Sequence, residues 1–246
     1  GVESTDTFVS VPFDVRGESS VASLDVPNNG RRTCIIRNTG EVACWGSSSV
    51  GATGRPESAR WSNVVSNVTT AIRVELNNGT SCVSLVSGQV ACWGANNGLF
   101  ANGSSQDSLS AQESSYPSPV LDFGLGNSHV CALLDTREVW CSGNNVEKQI
   151  NASDDSTILS PFKTEGLGVT EQLAVSLFFN CARGNDEKVR CWGTFPEGTV
   201  YESPQTIGNL DGARDIQVGY SSGCALLGTG EVACWGRNDK GQLGDG

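Results

Sequence analysis

The sequence of 246 residues has no methionine, one histidine, and 16 lysines and arginines against 27 aspartates and glutamates. Each shortage excludes something. A net charge of −11 leaves no cluster of basic side chains to follow a phosphate backbone, so nucleic acid is not expected as a partner. No apolar run approaches the ~18 residues of a membrane span, and the longest, around Leu173 to Phe179, is the size of a strand. Phosphate loops, nucleophile elbows and His-Glu-x-x-His helices are missing, so neither an enzyme nor a cofactor or metal is expected. The acidic turns Asp154-Asp155 and Asn238-Asp239-Lys240 lack a spacing that would enclose calcium. The chain opens with Gly1-Val2-Glu3-Ser4, which reads as a processed or truncated product whose signal peptide is gone.

Cysteine, by contrast, is abundant and ordered. All ten cysteines fall into five pairs ten positions apart: Cys34 and Cys44, Cys82 and Cys92, Cys131 and Cys141, Cys181 and Cys191, Cys224 and Cys234. A valine stands two residues before each second cysteine, at Val42, Val90, Val139, Val189 and Val232. The first cysteines lie 48, 49, 50 and 43 residues apart, a period that marks a repeat architecture. Zinc would want cysteines two to four apart, and His129 cannot complete five sites, so the pairs read as disulfides of an oxidising compartment. Four Asn-x-Ser/Thr sequons, at Asn67, Asn78, Asn102 and Asn151, agree with secretion.

Placing each cysteine opposite its partner makes a hairpin. In the first copy the loop is Asn38-Thr39-Gly40, a length that favours a type I turn followed by a left-handed residue. Gly40, Gly88 and Gly230 occupy that position, and Arg137 and Glu187 take it in the third and fourth copies, where strain is expected. Strand periodicity puts valine and cysteine on one face and Trp45, Trp93, Trp140, Trp192 and Trp235 on the other, so both faces must be covered and the tryptophans are expected between stacked sheets. After each hairpin comes a loop with glycines, Gly46, Gly51 and Gly54 matching Gly236, Gly241 and Gly244. The longest is expected over Ala95 to Ser118. A Pro-led segment follows, with Pro161 and Pro204 each twenty residues before the next first cysteine, and then a strand such as Gln172 to Phe178 or Ala213 to Tyr220. Thr7 to Val15 and Ser20 to Val26 read as two further strands. Each unit thus holds four short strands, the content of one propeller blade. One domain over 1–246 is expected, with units at about 7–54, 55–103, 104–151, 152–201 and 202–246.

Cys224-Ala-Leu-Leu, Gly230-Glu-Val-Ala-Cys-Trp-Gly236 and Gly241-Gln-Leu-Gly-Asp-Gly246, with Ser128-His129-Val130-Cys131-Ala132-Leu133, resemble the repeat of the regulator of chromosome condensation superfamily. The Cys-Trp-Gly form is similar to secreted members, among them Crinkly-type receptor ectodomains and propeller-type β-lactamase inhibitors. The resemblance implies an all-β propeller, with five blades visible here where family propellers commonly have seven. Pairing of residues 7 to 15 with the last unit would close a five-bladed ring. His129, in the repeat's own strand, is expected to be a structural hydrogen-bonding residue. Function is expected to be that of an extracellular protein-binding or assembly module, the partner being another protein or further copies of itself. The alternatives are a glycan-binding propeller using aromatics such as Tyr116 and Trp61, or an inhibitor of a secreted enzyme. Because the sequons lie between residues 67 and 151, the expected contacts are the loops Ser47 to Val50, Thr194 to Tyr201 and Arg237 to Leu243.

Overall fold

The structure is a computed structural model that describes residues 14–15, 17–27, 31–150 and 156–245. It is all-β, with strands β1 (Val21–Asp25), β2 (Arg32–Arg37), β3 (Val42–Gly46) and β4 (Ala59–Val64) in a first antiparallel sheet. The second holds β5 (Ala71–Leu76), β6 (Thr80–Leu85), β7 (Val90–Gly94) and β8 (Ser108–Glu113), and the third β9 (Val120–Leu125), β10 (His129–Leu134), β11 (Val139–Asn144) and β12 (Thr157–Lys163). β13 (Thr170–Val175), β14 (Phe179–Gly184), β15 (Val189–Thr194) and β16 (Val200–Thr206) make the fourth. The fifth has three described strands, β17 (Ala213–Val218), β18 (Ser222–Leu227) and β19 (Val232–Gly236). Strands pair in sequence order throughout.

The second and third strands of every sheet form the expected hairpin, with cysteine opposite cysteine in all five. Disulfides join Cys34 to Cys44, Cys82 to Cys92, Cys131 to Cys141, Cys181 to Cys191 and Cys224 to Cys234, with Cα atoms 4.0–4.2 Å apart. The first four bridges are buried, whereas Cys224 and Cys234 of the fifth sheet are only partly so. The turns follow the reading from sequence: φ is +83° at Gly40, and Arg137 and Glu187 adopt +65° and +58°, a region unfavourable to side chains.

Alternation then builds the core between sheets. Cys34, Ile36, Val42 and Cys44 of the first sheet meet Val74, Leu76, Val83, Ala91 and Trp93 of the second. The same contact recurs at each junction, ending with Cys181, Val189 and Cys191 against Ile216, Ala225 and Trp235. Trp93 and Trp192 are fully buried in this way, Trp140 and Trp235 partly, and Trp45 lies on the side of the first sheet turned away from the second. In the third sheet Ser142 stands where the others have the ring, and its hydroxyl donates to the Gly98 carbonyl at 2.8 Å. The first strands of successive sheets also touch, β1 to β5, β5 to β9, β9 to β13 and β13 to β17, which makes them the inner strands of a propeller-like array.

Several expectations need correction. The sheets span residues 21–64, 71–113, 120–163, 170–206 and 213–236, so the four unit boundaries drawn from sequence fall before or within the fourth strand of the first four sheets. That strand lies beyond the glycine loop and pairs back onto the third. The stretch from Ala95 to Ser118 is not one loop, because Ser108–Glu113 pairs with β7 despite having no β-branched residue. Pro161 and Pro204 do not lead their segments. They sit inside β12 and β16, where the pairing register shifts, as suits prolines in an edge strand. The expected strand Thr7 to Val15 and its pairing with the last unit lie outside the described residues except for Asp14 and Val15, which are not in a strand.

Candidate interaction face

Backbone hydrogen bonds sort the loops onto two sides of the array. On one side, the loop leaving each third strand bonds back to the loop joining the first two strands: Ser47 N to Arg31 O, Ala95 N to Gly79 O, Asn144 N to Ser128 O, Thr194 N to Phe178 O and Arg237 N to Ser221 O, all within 2.7–3.1 Å. On the other side lie the cysteine hairpins. There the turn carbonyl of one sheet accepts from the first residue of the next inner strand, as in Ala71 N to Gly40 O at 3.0 Å.

The long loops of the first side are held from beneath by one polar side chain four residues after the second cysteine. Asn96, fully buried, accepts from Phe100 N at 2.9 Å and donates to the carbonyls of Ser104 and Gln106 at 2.9 and 3.1 Å. Asn145 accepts from Ile150 N at 2.9 Å, and Asn238 from Leu243 N at 3.0 Å. In the first loop Ser48 does the same for Thr53 N at 3.3 Å. These acceptors satisfy backbone donors that would otherwise lack partners, and so lock the loop shape. Sequence reasoning passed over them, although Ser48, Asn96, Asn145 and Asn238 share one offset from the cysteine. The fourth loop lacks the device: Phe195 stands there, stacked 4.4 Å from Phe179.

Val50 and Val146 remain exposed on this side. Val50, with φ +55°, Gly51, Pro56, Asp107, Ser108 and Leu109 line a groove of about 250 Å³ between the first loop and the second sheet.

Two buried polar groups underlie the same side. Arg32 extends from the first sheet and donates to the carbonyls of Asn77, at 2.7 Å, and Thr80 in the second. Burial brings its pKa down to about 10, with nearby Asp25 opposing the shift. His129 Nε2 lies 2.8 Å from Asn180 Oδ1, and Asn180 Nδ2 donates to Gln149 O at 2.9 Å. Burial pushes the imidazole pKa down to about 4, against the effect of the Asn180 bond. Fully enclosed, His129 does not face a substrate in solution.

Among the described residues no three His, Cys, Asp or Glu side chains come together as metal ligands. All ten cysteines are taken by disulfides.

The expected contact loops around Ser47–Val50, Thr194–Tyr201 and Arg237–Leu243 lie on this one side, but they are not one patch. Sheets four and five are neighbours, whereas the first sheet packs against the second. Of the sequons, Asn78 is exposed and Asn102 half-buried on the same side, and Asn67 is exposed on the connection to the second sheet on the other side. Asn151 lies outside the described residues, as do Asp154-Asp155 and the Trp61 side chain. Tyr116 corrects an expectation: its ring is buried in the core between the second and third sheets, so it is not available to stack on a sugar. Desolvation raises its pKa.

Known proteins share this fold. The model of the "Regulator of chromosome condensation (RCC1) repeat" family matches residues 120–156 and 213–242. Those two stretches, in the third and fifth sheets, resemble RCC1-type repeats. Protein pim1 of Schizosaccharomyces pombe is 26% identical over 147 residues, which are 51% of this chain and 26% of pim1. The crystal structure of human WBSCR16 superposes with a TM-score of 0.78 at 19% identity, covering 96% of this chain and 66% of that one. The ectodomain of the Physcomitrella patens receptor kinase CR4 gives 0.60 at 18% identity, covering 94% and 54%. The chain thus spans about a quarter of pim1, two thirds of WBSCR16 and half of the CR4 ectodomain, and the likeness establishes fold.

Proposed function

We propose that this chain is a non-catalytic protein-binding module of an oxidising, extracellular setting, and that it meets its partner through the side bearing the long loops. The observation that carries this reading is the Ser or Asn beneath the first, second, third and fifth loops, which holds them in one shape while Val50, Leu109 and Val146 stay exposed above. Loops fixed before contact lose little conformational entropy on binding. Five disulfides, four of them fully buried, fit a compartment in which such bonds persist. RCC1-type relatives support the class: one solved structure is of Kap60 bound to yeast RCC1. The glycan reading loses support with Tyr116 in the core.

Photo-crosslinking residues placed singly at Val50 and Val146, in protein secreted by cells, test the assignment. Crosslinks to a protein partner from both are expected, with none from Val86, exposed on the hairpin side. Crosslinking from Val86 alone would refute the choice of side, and recovery of the ten cysteines as free thiols would refute the compartment.

A further inference from the structure

On the loop side, the inner strands end in an apolar opening. Leu125, Val175, Leu177, Val218 and Tyr220 surround about 290 Å³ of space where β9, β13 and β17 run into the loops that join the first two strands of their sheets. The Tyr220 ring meets that of Phe178 edge-on, with centroids 6.2 Å apart. Such a wall of aromatic and branched side chains is a surface that an aliphatic chain can cover.

The opening leads to a polar floor. A second cavity of about 240 Å³ shares Leu125, Val175 and Val218 with the first, and farther along the inner strands it is lined by Arg73, Glu75, Asp122, Gln172 and Gln217. Gln172 is committed to the wall itself: it donates to Asp215 Oδ1 at 2.6 Å and accepts from Ile216 N at 3.0 Å, which fixes β13 against β17. The charges on the floor do not balance. Arg73 donates to Glu75 at 2.7 Å and also to Asp122, so two carboxylates share one guanidinium and one negative charge is left over. Burial raises the Glu75 pKa, and the Arg73 charge beside it only partly offsets this. An anion finds no free cation there, and among the described residues no third carboxylate joins the two to enclose a metal ion.

We infer that this cleft receives a long basic side chain, lysine or arginine, from the partner protein, with its methylene stem against Tyr220, Val175 and Val218 and its cation at Glu75 and Asp122. Such side chains bury the stem along apolar surface and keep the charged head in polar surroundings, which is the order of surfaces met from the opening to the floor. Charge complementarity identifies the occupant: the added cation brings the floor to two carboxylates and two cations, in a chain of net charge −11. The lining comes from four consecutive inner strands whose packing is internal to the array. The inference rests on the loop-side reading of function and names the chemistry that the partner brings to that side.

Titration of the isotope-labelled intact chain with a capped Gly-Gly-Lys-Gly-Gly peptide tests it, read from the side-chain amide signals of Gln172 and Gln217. The lysine peptide is expected to shift both signals saturably, with a dissociation constant on the order of 1 mM. The same peptide with norleucine in place of lysine should bind at least about tenfold more weakly. Glu75→Gln and Asp122→Asn each remove the excess charge and should weaken the lysine peptide by a similar factor, with circular dichroism unchanged. Glu231→Gln removes an exposed carboxylate on the hairpin side and leaves binding intact. Tyr220→Ala should weaken both peptides. No response to the lysine peptide up to about 10 mM would overturn the inference. So would equal binding of the norleucine peptide, which indicates an apolar occupant, or tighter binding of butylamine than of the peptide, which indicates a free amine. Crosslinks from Val50 and Val146 without a response to the lysine peptide would overturn the cleft alone, whereas a response with crosslinks from Val86 alone would overturn the loop-side reading alone.

Discussion

The first-to-second and third-to-fourth junctions share one apolar framework and differ two residues before the first cysteine. Arg32 stands there in one and His129 in the other, and both cross the junction to the next sheet. Arg32 stays charged at neutral pH and satisfies two carbonyls. His129 is neutral, and since Asn180 Nδ2 is committed to the Gln149 carbonyl, Asn180 Oδ1 accepts and Nε2 carries the proton. One position in the repeat therefore accepts a permanent cation or a titratable ring, provided that the neighbouring sheet presents matching acceptors. The difference lies in how the two junctions respond to acid.

The largest expected effect comes from removing the cation. Arg32→Leu leaves the carbonyls of Asn77 and Thr80 without their donors and should cost about 3 kcal/mol or more, measured by urea unfolding and equal at pH 4.5 and pH 7.5. If the cost varies with pH, the contrast between the junctions fails.

Acid should instead act on the histidine. Its folded pKa of about 4 lies below the ordinary value near 6.5, so between those limits the unfolded chain binds more protons. The contribution is fully present above pH 6.5 and is lost as pH falls towards 4, up to about 3 kcal/mol. His129→Leu should flatten the stability profile in this window, and Arg32→Leu should leave it sloping. A profile that keeps its slope without the imidazole would assign the acid sensitivity elsewhere.

The smallest effects sharpen what the junctions share. Trp93 Nε1 donates to Ala52 O at 3.0 Å and Trp192 Nε1 to Gln149 O at 2.8 Å, so Trp→Phe at either should cost about 1 kcal/mol beyond the lost ring area. Trp235 Nε1 has no partner among the described residues, and the fourth loop beside it is a tight turn around Phe195 to Thr199. Trp235→Phe should therefore cost less than the other two in the same thermal melts.

Much of this was legible in the residues. Cysteines ten apart with glycine or its substitutes between them specify a hairpin and its turn, and valine and tryptophan on alternate faces require a sheet on each side. His129 was readable as a hydrogen-bonding residue from its place in the repeat. Arg32 was not, since a lone arginine ordinarily lies at the surface, and only its shared offset with His129 could have drawn attention to it. The fourth strands were hidden for a different reason. Ser108–Glu113 gains its conformation from pairing with β7 rather than from its own propensity, so no local pattern announces it. Tyr116, in a polar stretch, reads as exposed, and a contact formed across two sheets buries it.

None of the five disulfides joins one sheet to another; each closes its own hairpin. Under a pulling force the sheets can peel apart one by one while every hairpin keeps roughly 30 Å of chain folded back on itself, at about 3.3 Å per residue. The molecule then lengthens in increments, with five preformed kernels left from which each sheet can rewind once tension is released. Reduction would release this hidden length, so the reach of the stretched chain is set by the redox state of its surroundings.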